Sequence, residues 1–450
     1  MLDKYLFTFT ARYDGSSSFG SNNRFGFFPS GAIAWRISDE SFMKNLKFLD
    51  DMKIKFSVGK TGVQNFDRGS YANKDLYSTS SYLGNPAIVH SQLGNRDIKW
   101  ETTVQYDLGI DFSIFRSALS GSIAYYVKNT DDLIWTYTPP SSLAVADIPR
   151  NIGAVRNRGI EISLRANLLR GQKDWNWELG LNMAHNRNKV TKLEKDGGIA
   201  TGMDVTVQGS GNQVLVEGYA MGVFLGYEYD GIIQNQETID ELNAKAVAAG
   251  KSTYNGSGLL PGHLLIRDVD NSGYIDNYDR VVIGSPEADL TGGLTSTLTW
   301  KRLSLYTHFG FQIGGKKLFN KTLQNLPNQL SGLIDYNLYN RWSVDNPDAK
   351  LPAMYIGDSS ASLTDHQLHN ASNLRLQELR LSYDIPRLWN GKYLKSGEIY
   401  FTASNLFVIT KYPGLDPSTI GSASSNYGSN YEGWSYPSSR TFSFGVKLNF

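Results

Sequence analysis

The last ten residues, Thr441-Phe442-Ser443-Phe444-Gly445-Val446-Lys447-Leu448-Asn449-Phe450, carry the clearest sign of the fold. The apolar residues among them occupy every second position: Phe442, Phe444, Val446, Leu448 and Phe450. Because successive side chains of a strand point to opposite faces, this segment is predicted to form a strand with one apolar and one polar face. A strand of a soluble β-sandwich alternates in the same way, so the pattern alone leaves both a membrane and a soluble β-fold open.

Eleven other segments alternate similarly and, with residues 441–450, predict about a dozen strands. Most of them are long enough to cross a bilayer at a tilt. The sequence contains no run of 18 apolar residues and therefore predicts no transmembrane helix. The eleven segments are 4–13, 28–38, 51–61, 98–114, 119–134, 155–169, 175–189, 291–301, 302–314, 372–385 and 396–408.

The connections between the predicted strands alternate between short and long. Short ones lie at 115–119, 170–174 and 301–302. The long ones, rich in Gly, Ser and Asn, are 14–27, 62–97, 135–154, 190–290, 315–371 and 409–438. Transmembrane barrels have short turns at one end and long extracellular loops at the other, whereas a soluble sandwich has no reason to keep this order. The predicted fold is therefore all-β, an antiparallel transmembrane β-barrel whose long extracellular loops contain short helices.

The composition narrows the function. Lys and Arg number 44 against 43 for Asp and Glu, so the chain offers no basic footprint for nucleic acid. Cysteine is absent, which excludes a disulfide framework and thiolate metal sites. The 26 Tyr, 21 Phe and 9 Trp are typical of strand-rich proteins, and membrane barrels place such residues in girdles at both interfaces.

The connection 190–290 is long enough to fold by itself. It contains a strand-like stretch from Val214 to Ile233 and a helical stretch from Glu237 to Ala249. We expect either a folded extracellular insertion or a loop that contributes two more barrel strands, and both choices preserve the alternation of short and long connections.

Within this insertion, residues 268–279 have the spacing of a calcium-binding loop. Oxygen-bearing residues stand at positions 1, 3, 5, 9 and 12, a glycine stands at position 6, and position 7 supplies a backbone carbonyl. The predicted ligands of one structural Ca²⁺ are Asp268, Asp270, Ser272, the Tyr274 carbonyl, Asp276 and Asp279. The alternative is an Asx-rich surface turn in which Gly273 serves only a positive φ. No organic cofactor is expected.

Aromatic residues in the long connections are the candidate substrate contacts, because Trp and Tyr faces stack on sugar rings and cover peptide side chains. They are Tyr137, Tyr427, Tyr431, Trp434 and Tyr436. A place in the interfacial girdle is the alternative for each of them. No nucleophile elbow, dinucleotide-binding fingerprint or phosphate loop occurs, so catalysis is not expected.

Several segments resemble a known family, and they follow its order along the chain. They are Phe25–Arg36 with its Phe-Pro and Trp-Arg pairs, Lys55–Gly62, Asn95–Glu101, Asn151–Glu161, Asn405–Phe407, Thr410–Tyr412 and Gly414–Pro417. The set is similar to the barrel of SusC/RagA-type TonB-dependent outer-membrane receptors. Ser418 departs from the acidic residue that usually follows Asp-Pro in that family.

The resemblance implies a barrel of about 22 strands with a plugged lumen, of which residues 1–450 form the C-terminal part. The N-terminal plug and the segment that contacts TonB are then expected to be absent. Met1 to Phe9 already reads as a strand without a signal peptide, so we expect a gene fragment that does not transport alone. The apolar residues of the terminal strand, including Phe450, are expected to serve as the barrel-assembly signal.

The function implied by the resemblance is import of oligosaccharides or peptides across the outer membrane of a Gram-negative, Bacteroidetes-like bacterium. The implied partners are outer-membrane lipid, a SusD-like lipoprotein lid and TonB. A soluble or surface-attached β-rich protein for carbohydrate binding or adhesion is the alternative, and it predicts a polar exterior.

Overall fold

A computed structural model describes most of the chain. The described residues are 4–64, 71–137, 148–194, 201, 203, 205–208, 213–256, 258–319, 340–353, 355, 363–386, 395–418, 431–432 and 438–449. Antiparallel strands dominate this part, and the predicted all-β class is confirmed.

The strands are numbered in chain order. The first twelve are β1 (Tyr5–Gly15), β2 (Phe25–Arg36), β3 (Leu49–Val63), β4 (Leu76–Tyr82), β5 (Asn85–Gln92), β6 (Glu101–Ile114), β7 (Leu119–Tyr137), β8 (Ile148–Gln172), β9 (Trp175–Leu193), β10 (Val207–Gln208), β11 (Gln213–Val216) and β12 (Val223–Gly226). The others are β13 (Tyr229–Ile232), β14 (Leu264–Ile266), β15 (Val281–Gly284), β16 (Ala288–Trp300), β17 (Leu303–Gly314), β18 (Lys316–Phe319), β19 (Leu368–Asn370), β20 (Asn373–Ile385), β21 (Ser396–Thr410), β22 (Tyr431–Glu432) and β23 (Thr441–Asn449).

Twelve of these strands form one sheet, which we call the wall. Its order is β1-β2-β3-β6-β7-β8-β9-β16-β17-β20-β21-β23, so each strand pairs with the next one along the wall. These are the twelve strands that the alternation predicts, and each predicted segment overlaps one of them. Among the described residues β1 and β23 are the two edges, and the wall does not close on itself.

The two faces of the wall differ in character because the pairing keeps the alternation in register. On β8 and β9, Ile162 lies opposite Met183, and Ser163 on the other face lies opposite Asn182. The apolar face is largely open, with Phe444 83% exposed. An exposed apolar face of this extent is typical of a lipid-facing surface.

The polar face of the wall carries a groove of about 490 Å³ between β7 and β20. Its lining includes Ser163, Asn182, Thr291, His308 and Gln377. This is the face that would look into the lumen of a barrel, since lumen-facing residues alternate with lipid-facing ones.

Tight turns join wall strands at one end. β8 and β9 are joined by Lys173 and Asp174, and β16 and β17 by Lys301 and Arg302. Between β6 and β7, Phe115, Arg116 and Ser117 all have φ near +57°. Three consecutive left-handed non-glycine residues are strained, and hydrogen bonds such as the one from the Ser117 N–H to Asp50 hold them in place.

The connection from β9 to β16 folds outside the wall. Its strands form a four-stranded sheet, β10-β11-β12-β15, and a β13-β14 pair, so the described part adds no strand to the wall. The helix α1 (Gln236–Ala248) has Asn235 as its N-cap, which accepts a hydrogen bond from the Thr238 N–H. We call residues 194–287 the insertion. Along the described chain, no helix combines the length and apolar character required to cross a bilayer.

The insertion packs against the ends of β8 and β9 that lie away from their tight turn. Leu215 lies in a buried cluster with Val155 and Val190. The Val190 N–H donates to the Tyr219 carbonyl at 2.7 Å, and the Gly218 N–H donates to the Val190 carbonyl at 2.9 Å. The insertion is therefore fixed to the wall by packing and by a two-way backbone bridge.

Outside the insertion, two small elements were not predicted. β4 and β5 form a hairpin within the long connection 62–97, with Leu83 at φ 51° and Gly84 at φ 81° in the turn. β18, β19 and β22 form a three-stranded sheet above β17 and β20.

Candidate functional site

The predicted calcium loop lies in the insertion between β14 and β15. Asp268, Asp270 and Asp279 each present a carboxylate oxygen, and these three oxygens lie within 4.8 Å of one another. Gly273 has φ +89° at the position where the predicted loop needs its sharp turn. The fold thus brings together the acidic residues at positions 1, 3 and 12 of the motif.

Backbone N–H groups orient two of these carboxylates. The two oxygens of Asp268 accept from the N–H groups of Ser272 at 3.0 Å and Gly273 at 2.7 Å. Asp270 also accepts from the Ser272 N–H, at 3.0 Å. The Ser272 hydroxyl donates to the Tyr274 carbonyl at 2.9 Å, so two more predicted oxygen ligands are neighbours.

Asp279 is the buried member of the cluster. Its oxygens accept from the N–H groups of Val269 and Asp276, both at 2.8 Å. Burial raises the pKa of Asp279, backbone hydrogen bonds lower it, and the nearby Asp270 and Asp268 carboxylates raise it, with a net upward shift. A bound cation would relieve this crowding of negative charge.

Asp276, the predicted ligand at position 9, also serves as a helix cap. Its carboxylate accepts from the Tyr278 N–H at 2.7 Å and caps the short 3-10 helix Asn277–Asp279. It is not part of the three-carboxylate cluster. In calcium loops of this spacing the ninth position often acts through a water molecule, so the capping role is compatible with the motif.

The donor set suits a hard cation. Carboxylate, hydroxyl and carbonyl oxygens are the ligands that Ca²⁺ takes six to eight at a time. Among the described residues, no Lys, Arg or His lies within ion-pair distance of Asp268, Asp270 or Asp279. The neighbouring Arg267 is engaged with Asp230 instead. The described residues therefore fit a Ca²⁺ site, and binding stays a prediction.

A buried ionic cluster in the last long connection was missed by the sequence analysis. Arg375 on β20 pairs with Asp416, which also accepts from the Ser438 hydroxyl at 2.6 Å and the Ser418 N–H at 2.8 Å. Lys317 on β18 donates to the Asp416 carbonyl at 3.2 Å. Burial alone would raise the pKa of Asp416, but these hydrogen bonds and the Arg375 charge lower it overall.

The predicted substrate-contacting aromatics cannot be placed. Tyr427, Trp434 and Tyr436 lie outside the described residues, and only the backbone is described for Tyr137 and Tyr431. Their role stays a prediction.

The terminal strand β23 pairs with β21 and presents Phe442, Phe444, Val446 and Leu448 on one open face. Phe450 lies outside the described residues. The arrangement agrees with the predicted alternation, and the assembly-signal role stays a prediction.

Comparison with known proteins shows which family the chain resembles. A family model described as TonB-dependent receptor-like β-barrel matches residues 1–281. TonB-dependent receptor P3 of Formosa agariphila is 32% identical over 458 residues, covering 99% of this chain and 44% of that protein. TonB-dependent receptor SusC of Bacteroides thetaiotaomicron is 31% identical over 468 residues, covering 100% of this chain and 42% of that protein.

Solved structures agree with the sequence relatives. The structure of the RagAB peptide transporter aligns with a TM-score of 0.79 at 27% identity, over 100% of this chain and 46% of that chain. The RagAB peptide importer in its open-open state aligns with a TM-score of 0.77. The chain spans less than half the length of the relatives that it matches.

Proposed function

Since the chain belongs to the TonB-dependent receptor-like β-barrel family and is of SusC/RagA type, we propose a role in import. The chain forms the wall and the outer rim of an importer for oligosaccharides or peptides. The observation that carries the proposal is the alignment of the whole chain with 46% of the RagAB peptide transporter chain at a TM-score of 0.79. The exposed apolar face and the polar groove on the opposite face support a barrel wall between lipid and a lumen.

The proposal includes a location and partners. The wall lies in the outer membrane of a Gram-negative bacterium, its tight turns face the periplasm, and its long connections face outward. A SusD-like lipoprotein closes over the outer rim, and TonB acts on the importer from the periplasmic side. Names of relatives such as SusC and the RagAB transporter support this assembly. The function needs no bond to be made or broken, and the family is one of receptors and transporters.

A cell-based test separates the two cargo classes. The gene for the full-length protein is deleted, and growth is measured on a peptide mixture or on oligosaccharides as the sole carbon source. Growth should be lost on one class and restored by the intact gene. A gene carrying Lys173→Ala, an exposed turn residue, is the matched control and should restore growth equally. Unchanged growth on both classes would contradict import of either.

We also propose that one structural Ca²⁺ binds at Asp268, Asp270 and Asp279 and stiffens the insertion. The support is the convergence of three carboxylates around a glycine turn with the upward pKa shift of Asp279. The ion would hold the loop in place and take no part in transport chemistry.

The adhesion alternative predicts a polar exterior and extraction without detergent. The open apolar face of the wall, with Phe444 and Ile160 exposed, does not match that expectation. Membrane fractionation decides between the two: an importer wall requires detergent, whereas release of the full-length protein by salt or carbonate alone would favour adhesion.

A further inference from the structure

A group of basic side chains stands on the lipid-facing side of β8 and β9, just beyond the apolar residues. We call it the basic ladder; its members are Arg156, Arg158, Arg187 and Lys189. The register places Arg158 directly opposite Arg187 and Arg156 directly opposite Lys189. All four side chains are exposed.

The ladder continues the apolar face of the wall. Without any register shift, the pairs below it are Ile160 with His185, Ile162 with Met183 and Leu164 with Leu181. Directly opposite residues of an antiparallel pair have their side chains on the same face. The ladder therefore points toward lipid rather than toward the lumen.

The height of the ladder matches a membrane interface. Trp175 stacks on Trp300 at the tight-turn end of the wall, with ring centroids 5.6 Å apart, as expected for an aromatic girdle. From Trp175 to His185 the strand runs about 33 Å at roughly 3.3 Å per residue. At a tilt of about 40° this length spans about 25 Å, the height of the apolar band of a membrane barrel. Arg187 is the next lipid-facing residue on β9, so the ladder begins at the edge of the hydrocarbon.

Repulsion within the ladder is only partly relieved by the protein. Like charges directly opposite each other in a sheet are destabilising. Arg187 pairs with Asp289 at 2.9 Å, and Arg156 donates to the neutral Asn129 side chain at 2.9 Å. Among the described residues, Arg158 and Lys189 have no acidic partner within ion-pair distance. The exposed Asp131 on β7 lies on the same face, and the four cations of the ladder outnumber Asp289 and Asp131.

The lumen-facing side of β8 and β9, at the same height as the ladder, does not share its positive charge. There the same strands carry Asn157, Asn186 and Asn188, whose amides bond one another and also the carboxylate of Glu287, so this face has no excess of positive charge. On these two strands, the lumen-facing positions carry amides and the lipid-facing positions carry four cations. The positive charge therefore belongs to the outer face and is not a general feature of this end of the strands.

We propose that the basic ladder binds the phosphate groups of an outer-leaflet lipid of the lipid A type, with its acyl chains lying on the apolar residues below. Guanidinium groups bind phosphate through paired, charge-assisted hydrogen bonds, and a phosphate between the strands would remove the like-charge repulsion. The orientation of the ladder toward the outer leaflet rests on the proposed function.

The test uses the full-length protein in neutral detergent and lipid A as the probe. The variant is Arg158→Ala with Lys189→Ala. The matched control is Arg165→Ala with Lys173→Ala, which removes two cations from the lumen face and the tight turn of the same hairpin. Binding is measured by native mass spectrometry and by titration. We expect the ladder variant to bind lipid A at least about tenfold more weakly, as the loss of about 1.4 kcal/mol implies, and the control to bind within twofold of the wild type.

Two further probes identify the source of the phosphate. Inorganic phosphate at millimolar concentration should not displace lipid A, and dephosphorylated lipid A should bind as weakly as lipid A binds to the ladder variant. Full competition by inorganic phosphate, or equal binding of the dephosphorylated lipid, would overturn the proposal. So would equal lipid A binding by the ladder variant and the control.

Thermal unfolding separates lipid binding from a merely structural role. Without lipid, the ladder variant should unfold at the wild-type temperature or above it, because repulsion between the cations is removed. Addition of lipid A should raise the unfolding temperature of the wild type more than that of the ladder variant. A variant that is less stable under both conditions would mean that the ladder is structural. Import measured on the same variant is a separate readout, so loss of lipid binding and failure of the import proposal are distinguishable.

Discussion

The wall and the insertion treat apolar side chains in opposite ways. In the wall, Phe444 and Ile160 are exposed to the extent of 83% and 42%. In the insertion, Val214 and Phe224 are fully buried. A single chain thus folds against two solvents: the wall directs its apolar residues toward lipid, and the insertion buries them away from water. The stability of the wall therefore depends on strand pairing and lipid, whereas the insertion depends on buried apolar clusters, two of which it shares with β8 and β9 and with β18 and β19.

The largest effect is expected for Phe224→Ala in the insertion. Phe224 packs in a buried cluster with Leu318 and Leu368, and removing a buried Phe side chain costs about 3–5 kcal/mol. Limited proteolysis of the full-length protein should cut the insertion much faster, while heat-modifiable migration of the barrel on a gel is retained. Phe444→Ala, at an exposed wall position, is the control and should leave proteolysis of the insertion unchanged. Loss of the barrel in the Phe224 variant would show that the two regions are not energetically distinct.

A somewhat smaller effect is expected for Leu181→Arg in the wall. Leu181 lies on the lipid-facing side of β9, where an arginine near the bilayer midplane costs about 2–4 kcal/mol. The amount of heat-modifiable protein in the outer membrane should fall. Asn182→Arg, one residue along and facing the lumen, should be assembled at close to the wild-type level. Similar losses for both variants would argue against two distinct faces.

The smallest effect is expected for Ca²⁺ and the acidic cluster. If Ca²⁺ binds the folded insertion, a concentration one hundred times the Kd adds about 2.7 kcal/mol to the stability of the insertion. Proteolysis of the insertion should then slow when Ca²⁺ is added, and Asp270→Asn should remove this protection. Asp240→Asn, on the exposed side of α1, is the control and should retain it. Equal protection of both variants would contradict the site.

The same cluster predicts a pH dependence. Because the folded insertion raises the pKa of Asp279, the metal-free fold loses stability as the pH rises from the unfolded pKa to the folded one. Ca²⁺ requires the carboxylate, so its protection should weaken as the pH falls through the raised pKa. Protection by Ca²⁺ that grows stronger on acidification would exclude Asp279 as a ligand.

The wall could be predicted from sequence because lipid on one side and a polar lumen on the other impose period two along every strand. The hairpin of β4 and β5 was not predicted, because both of its faces carry polar and apolar residues. Its turn also includes Leu83, an unusual residue for positive φ. In the insertion, the helix was predicted within one residue at each end. The stretch from Val214 to Ile233 is broken into three short strands, with Gly218 and Gly222 at positive φ between the first two.

The candidate site was predictable only where its residues are close in sequence. The spacing of residues 268–279 was enough to bring Asp268, Asp270 and Asp279 together, but not to show that Asp276 caps a 3-10 helix. The pair of Arg375 and Asp416 lies 41 residues apart, and it depends on how β20 meets the last long connection. No local pattern encodes such a pairing.

The backbone bridge between Val190 and the segment Gly218–Tyr219 has a consequence for protein engineering. A graft of the insertion onto another barrel that is cut at the last wall residue, Leu193, would sever this bridge and expose Leu215. The segment to transfer is longer. It should include the ends of β8 and β9 that contact the insertion, so that Val155 and Val190 lie inside the graft. Chimeras made at these lower boundaries should keep the rim intact, and those made at the apparent loop ends should not.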